Sequence, residues 1–373
     1  MTTAPPPPGR RLVSLDVFRG ATIAAMILVN NSGDAQNTFW PLRHQPWHGW
    51  TPTDVIFPFF LFMAGMTLTF SQRLGFQSAL VRSLKLISLG LLVNFTTGGF
   101  VLSGLRWAGV LQRIGVCVLA AWAAKRWLGP RGQALLAAVL LLGYFGLMTQ
   151  VRGPEGHPPS LETETNLAAQ VDRLVLEGHL YRWTKTWDPE GVLSTLPAIA
   201  TALLGLLTGE WLQSLREPKR KAAGLIAVGL VVVALAIAWG DAAPLWLRFP
   251  INKMIWTSSF VLLTGGLAAA LFGLTFWVVD VRGRRGWTVP FVTYGKNAIA
   301  VYVGSEVLSG ALDSIRWPSA TGAVLSLQER LYAAAFAPAL PPSFAALAWA
   351  LAHVLVWYAV ARWMEHRSIY LKV

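Results

Sequence analysis

Cysteine is almost absent from this chain. Cys117 stands alone inside an apolar run, which excludes a disulfide or a cysteine-based metal centre within one molecule. A lone thiol in apolar surroundings is expected to be an inert packing residue. Charge is scarce as well: 13% of residues are charged, against roughly 25% in soluble domains, while 54% are hydrophobic and the mean hydropathy is positive. That composition excludes an ordinary soluble globule and describes a polytopic membrane protein. Acidic residues are the scarcer charge, 18 against 31 basic, which leaves a net charge of +13. Such an excess raises nucleic acid as a partner, but the chain lacks a long basic block and a basic–aromatic stripe. Its lysines and arginines form short clusters between apolar runs, the pattern of positive-inside loops, so nucleic-acid binding is not expected.

What is present is a series of apolar segments, at about 14–32, 53–72, 79–96, 108–125, 132–149, 191–209, 221–240, 254–278, 289–310 and 343–363. Most approach the ~20 residues that cross a bilayer core, so the expected fold is all-α with ten transmembrane helices. Residues 1–13 form a proline-rich arm expected to be extended and disordered; residues 14–373 are expected to form a single transmembrane domain. Arg10 and Arg11 before an apolar run imitate a signal peptide. No small-residue cleavage site follows, and Asp16 and Arg19 interrupt the run, so it is read as a retained first helix.

Orientation follows from the basic residues. With the N-terminus in the cytoplasm, the inner segments carry Arg10 and Arg11; Arg73, Arg82 and Lys85; Lys125, Arg126 and Arg131; Arg216, Lys219, Arg220 and Lys221; Arg282, Arg284 and Arg285; and Arg362, Arg367 and Lys372. Those are 18 of the 31 basic residues, against 10 in the opposite loops, so both termini are expected in the cytoplasm. The loop at about 150–190 holds seven acidic and four basic residues. It exceeds an ordinary connection and is expected to cap the outer side. The stretch 325–340, with Glu329 and Arg330, reads as an interfacial amphipathic helix; an eleventh crossing is the alternative.

Ionisable groups at membrane depth are costly, so function is sought there. At ~100° per residue Asn30 returns to within ~40° of Asp16, with Arg19 ~60° away. These residues form a polar stripe along the first segment, or else an Asp16–Arg19 pair that only fixes packing. Gln112 and Arg113 enter the fourth segment, and Lys296, Asn297 and Glu306 the ninth. They suit either a polar pathway or structural salt bridges between helices.

One polar cluster stands out: HQPWHGWTPTD at 44–54. Pro46 and Gly49 argue against a helix joining His44 to His48, and two histidines without a third ligand make a weak metal site, so no metal is expected. The cluster falls in the outer loop next to Asn30, with Pro52 leading into Thr53 and Asp54 at a helix start. Histidine there suits a general base, a nucleophile or an ordinary surface residue. Trp47 and Trp50 suit an interfacial or sugar-stacking wall.

The runs SLDVFRG at 14–20, HQPWHGWTPTDVIFPFFLFMAG at 44–65, GVLQRIGV at 109–116, DRLVLEGHLY at 172–181, DPEGVLSTLPAI at 188–199, FPINKMIWTSSF at 249–260 and VVDVRG at 278–283 resemble the heparan-alpha-glucosaminide N-acetyltransferase family and its bacterial relatives. The resemblance implies a transmembrane acetyltransferase that takes acetyl-CoA from the cytoplasm and acetylates an amino sugar on the far side of the membrane. A bacterial relative of this kind resides in the cytoplasmic membrane, with the His44 loop on its non-cytoplasmic side. By the same resemblance His44 and Asn30 match the family's catalytic histidine and its neighbouring asparagine. His44 then serves as a general base or as an acetyl carrier, with Asp54 orienting it. The anionic CoA would be met by Arg19, Gln112, Arg113, Asn252, Lys253, Lys296 and Asn297. The acceptor sugar would meet His48, Trp47, Trp50, Asp188, Glu190 and Glu306. The resemblance is expected not to extend to the lysosomal relative's extra N-terminal domain and first helix, and the chain carries His48 where that relative has Asn and Ser305 where it has His. The lipid bilayer is the certain partner, and a homodimer is left open. The alternative is a transporter of amino sugars or related solutes; transport predicts inverted repeats, and no convincing repeat is found, which favours the enzyme.

Overall fold

A chain out of reach of water can satisfy its backbone N–H and C=O groups only internally, so apolar runs of this length fold as helices. The computed structural model describes residues 12–71, 75–319 and 322–371. Residues 1–11 of the proline-rich arm lie outside the described residues, as do Arg73 and Lys372. The helices are α1 (Val13–Asn30), α2 (Ile56–Phe70), α3 (Phe76–Thr97), α4 (Val110–Trp127), α5 (Pro130–Gln150), α6 (Leu167–Val175) and α7 (Thr195–Gln213). They continue with α8 (Pro218–Ile237), α9 (Ser258–Phe276), α10 (Val289–Lys296), α11 (Ala298–Ser314), α12 (Leu327–Ala335) and α13 (Pro342–His366). A small antiparallel hairpin, β1 (Arg316–Pro318) and β2 (Val324–Ser326), precedes α12.

Among the described residues, eight helical stretches are long and apolar enough to cross a membrane. They contain α1, α2, α3, α5, α7, α8, α9 and α13. The other two expected segments are also helical but fall outside those eight. One is α4, which carries Arg113, Lys125 and Arg126. The segment at 289–310 is two helices rather than one, broken at Asn297. That side chain donates from Nδ2 to the Ile369 carbonyl at 2.9 Å and accepts from the Leu371 N–H at 3.2 Å, so it ties the C-terminal tail instead of facing out from a continuous helix. At about 1.5 Å per residue, α12 is about 14 Å long, far short of the bilayer core. Its N-terminus is closed by a reciprocal cap between Ser326 and Glu329.

Glycine lets the helices approach closely, as is common for helix pairs in lipid. A Cβ on Gly65 would come 1.9 Å from the Ala202 carbonyl oxygen, and one on Gly205 would come 1.8 Å from that of Phe62, so α2 and α7 meet backbone to backbone. Gly229 and Gly266 do the same for α8 and α9, as do Gly20 and Gly295 for α1 and α10. The residues between α5 and α7 carry α6, started by Asn166, whose side-chain oxygen accepts the Ala169 N–H at 2.9 Å. Leu167 and Ala168 pack on Tyr144, Met148, Phe249 and Ile255, which fixes this segment over the ends of α5 and α9.

Candidate active site

The 44–54 loop is held by its own aspartate. Asp54 sits at the third position of a short helical turn that leads into α2, and its Oδ2 accepts the N–H groups of Thr51 at 3.0 Å and Gln45 at 3.1 Å. Its Oδ1 lies 2.7 Å from His44 Nδ1. A carboxylate that close to an imidazole nitrogen needs a hydrogen between them, so Nδ1–H donates and Nε2 keeps its lone pair. The helix-capping role and the histidine-orienting role are therefore carried by one side chain.

A second segment closes on the same histidine. In the 249–257 stretch, Asn252 Oδ1 accepts the N–H groups of Met254 and Ile255 at 2.7 and 3.2 Å, and Thr257 N–H donates to the Asn252 carbonyl at 3.0 Å. This knot aims Lys253 at the dyad: Nζ lies 2.9 Å from His44 Nδ1, 3.5 Å from His44 Nε2 and 3.4 Å from Asp54 Oδ1. The two loops are stitched by Gly49 N–H on the Ile251 carbonyl at 2.7 Å, with Gly49 at φ +99°, where a side chain would be strained. Burial first, then the Lys253 ammonium, pushes the His44 imidazole below its usual range, against the opposing pull of Asp54. Burial likewise lowers Lys253, against Asp54 and Glu190.

His44 opens into a cavity of about 440 Å³. Asn30, Gln112, Glu190 and Glu306 line it too, so it gathers five of the residues expected from the sequence. Asn30 Nδ2 donates to Glu306 Oε1 at 2.8 Å. Among the described residues Gln112 Oε1 is buried without a hydrogen-bond partner, against Gly90, where a Cβ would come 2.1 Å from it. The far wall belongs to the segment before α7. Arg106 Nε donates to Asp188 Oδ2 at 2.7 Å, its Nη2 bonds both Asp188 and Glu190, and its guanidinium lies 4.4 Å over the Tyr181 ring. Burial opposes the Arg106 charge, but the two carboxylates more than offset it and raise the guanidinium further. Asp172, buried on α6, anchors this wall by accepting the N–H groups of Val192 at 2.8 Å and Asp188 at 3.2 Å.

The remaining expected residues fall elsewhere. Arg113 is buried one turn into α4, where Nη2 donates to the Gly191 carbonyl at 3.1 Å and to Ser194 Oγ at 2.5 Å. Its guanidinium stacks 5.0 Å from the Trp256 ring. It therefore supports the cavity wall, at the opposite end of the helices from Arg19. Arg19 pairs with Asp16 at 3.7 Å near the start of α1. Lys296 pairs with Glu365, and Asn297 holds the C-terminal tail, both at that same end. The seven residues expected to meet CoA are thus not one site, because Asn252 and Lys253 belong to the histidine cluster. His48 Nδ1 accepts from Asn252 Nδ2 at 3.3 Å and does not line the cavity. Trp47 spends its indole N–H on the Leu161 carbonyl at 3.0 Å and packs edge-on to Trp187 at 5.2 Å. Trp50 is exposed away from the cavity, whose mouth carries Trp183 instead. Arg106 carries no signal in the sequence: a single arginine in the loop between α3 and α4 stands out only once its two carboxylates are seen.

The family model described as heparan-alpha-glucosaminide N-acetyltransferase, catalytic, matches residues 11–249, well over half of the sequence. The chain belongs to this family. It is 29% identical over 363 residues to the heparan-alpha-glucosaminide N-acetyltransferase of Mus musculus, covering 80% of this chain and 54% of that protein. It is 30% identical over 362 residues to the Homo sapiens protein of the same name, covering 80% and 53%. The chain thus spans about half the length of the curated relatives it matches. Together with its apolar helices, this makes it a multi-pass membrane member of an acetyltransferase family. The matched region contains Asn30, His44, Asp54, Arg106 and Glu190, whereas Lys253 and Glu306 lie beyond it.

Proposed function

We propose that this protein transfers the acetyl group of cytoplasmic acetyl-CoA to the amine of a glucosamine-type sugar on the other side of the membrane. The observation that carries this reading is the His44–Asp54 dyad in the wall of a cavity that also holds the Asn30–Glu306 pair. A thioester is already activated, so catalysis needs an uncharged amine and a stabilised oxyanion. His44 Nε2 takes the amine proton as nitrogen attacks the thioester carbon, and Asp54 steadies the imidazolium that forms. Asn30 spends one amide N–H on Glu306 and has a second for the thioester oxygen. As the C–S bond breaks, His44 returns the proton to sulfur, giving an amide and a free thiol. Glu306 and Glu190 are carboxylates suited to an ammonium and sugar hydroxyls.

The reading takes ten crossings with both termini in the cytoplasm, an arrangement that puts the dyad and the capping segment on the acceptor side. The cap and the helices form one domain, in the cytoplasmic membrane of a bacterium. The test uses proteoliposomes of known orientation, with acetyl-CoA on the cytoplasmic face and glucosamine on the other. N-acetylglucosamine should appear on the glucosamine side. Glucosamine crossing the bilayer unmodified, with no product, would replace the enzyme by a transporter.

A further inference from the structure

The sequence offers Lys253 as a cation for CoA, yet the structure directs it elsewhere. Its Nζ lies against the His44 ring, 2.9 Å from Nδ1 and 3.5 Å from Nε2, and its side chain is 12% exposed. With Nδ1–H given to Asp54, the ammonium has no acceptor on Nδ1 and is held there by Asp54 Oδ1 at 3.4 Å and by the knot around Asn252. Two positive charges this close repel strongly in a partly buried site.

We propose that Lys253 is a positioning residue for the proton on His44: wedged beside the ring, its ammonium keeps the imidazole a free base at rest and drives the proton His44 collects onward to the departing thiolate. This deepens the acetyl-transfer reading and rests on it. Nitrogen loses a proton to Nε2 while the C–N bond forms. The C–S bond then breaks, and the electron pair on sulfur takes that same proton, so no outside acid or base is needed. Without the ammonium, burial alone would oppose the pull of Asp54 on the ring proton, and the imidazolium would form at higher pH. The other charged groups that bear on His44 are Glu190 from the capping segment and, across the cavity, Arg106, Arg182 and Glu306. Among the described residues it is Lys253 and Asp54 that reach the ring nitrogens.

The experiment reads His44 itself. Diethylpyrocarbonate modifies neutral imidazole, and the rate at the His44 peptide, followed by mass spectrometry across pH, gives the midpoint at which the ring loses its proton. In full-length Lys253→Met protein in detergent, that midpoint should rise by about one unit or more, the effect of removing a like charge at this range. Lys253→Arg should keep it at the wild-type value. In Lys253→Cys protein, alkylation with bromoethylamine rebuilds an ammonium and should bring the midpoint back down in one folded sample; buried Cys117 is shielded from the reagent. The acid limb of the acetyl-transfer profile should move with the midpoint, at an unchanged KM for acetyl-CoA. An unmoved midpoint overturns the proposal. So does a raised acetyl-CoA KM with an unmoved acid limb, which returns Lys253 to the CoA grip. Loss of folding in both the Met and Cys variants while the Arg variant folds also overturns it, since the cation would then serve only to neutralise Asp54. Because the chemical midpoint requires no turnover, failure of acetyl transfer and failure of the Lys253 role are separate results.

Discussion

His44 Nδ1 stands 2.7 Å from Asp54 Oδ1, and the Asp54 side chain has no exposed surface while His44 is 45% exposed toward the cavity. The asymmetry is chemically useful: the orienting carboxylate is shielded from water while the ring it orients reaches the cavity. It also makes Asp54→Asn a sharp test. The N–H groups of Gln45 and Thr51 both point at Oδ2, so they hold the amide oxygen there and turn the new NH2 toward His44. That group donates to Nδ1 and leaves the ring proton on Nε2, the wrong tautomer for a base. Turnover should fall on the order of 10³- to 10⁴-fold, as for other histidines held in the wrong tautomer, and the thermal unfolding midpoint should fall as well, since buried Lys253 loses its counter-ion.

Arg106 is expected to matter for stability rather than for chemistry. It is the counter-ion of Asp188, which is fully buried, and of Glu190, which is 8% exposed. Arg106→Ala leaves both carboxylates without it, a class of change that costs about 3–5 kcal/mol. The unfolding midpoint in detergent should drop by several degrees, and Arg106→Lys should fall between, since it keeps the charge and loses the two-pronged geometry.

Asp172 gives the capping segment a pH dependence of its own. Burial pushes its carboxyl up to about 7, against the backbone N–H groups of Val192 and Asp188. A group that binds its proton more tightly folded than unfolded favours folding while protonated, so its contribution is lost as pH rises from about 4 through about 7 and is level above. Unfolding midpoints of wild type and Asp172→Asn, measured from pH 5 to 8 at fixed ionic strength, should diverge: the wild type loses stability across that range relative to the variant. Parallel curves would contradict this account.

The residues that were legible in the sequence are those for which a lipid environment leaves few explanations. Asn30, Gln112 and Glu306 interrupt apolar helices, and polar groups at that depth must face one another or a cavity; all three line the one that His44 opens into. The entry to α2 was legible as well, since Pro52, Thr53 and Asp54 mark it locally. The break at Asn297 was not, because the carbonyl that holds its side chain, that of Ile369, lies 72 residues away. Nor was the place of Lys253, which the backbone knot at Asn252 carries to a histidine 209 residues earlier in the chain. Arg19, Arg113 and Lys296 share a charge, and charge alone could not tell a cation lining a cavity from one neutralising a neighbour.

The central claim is that His44 is the base for acetyl transfer, and one measurement addresses it directly. Purified wild-type and His44→Ala proteins in detergent are given radiolabelled acetyl-CoA and glucosamine, and labelled N-acetylglucosamine is counted against time. The account predicts product from the wild type and a rate lower on the order of 10²- to 10⁴-fold in the variant, the range for loss of a positioned general base, with unfolding midpoints that agree. A His44→Ala protein that forms product at the wild-type rate would contradict it.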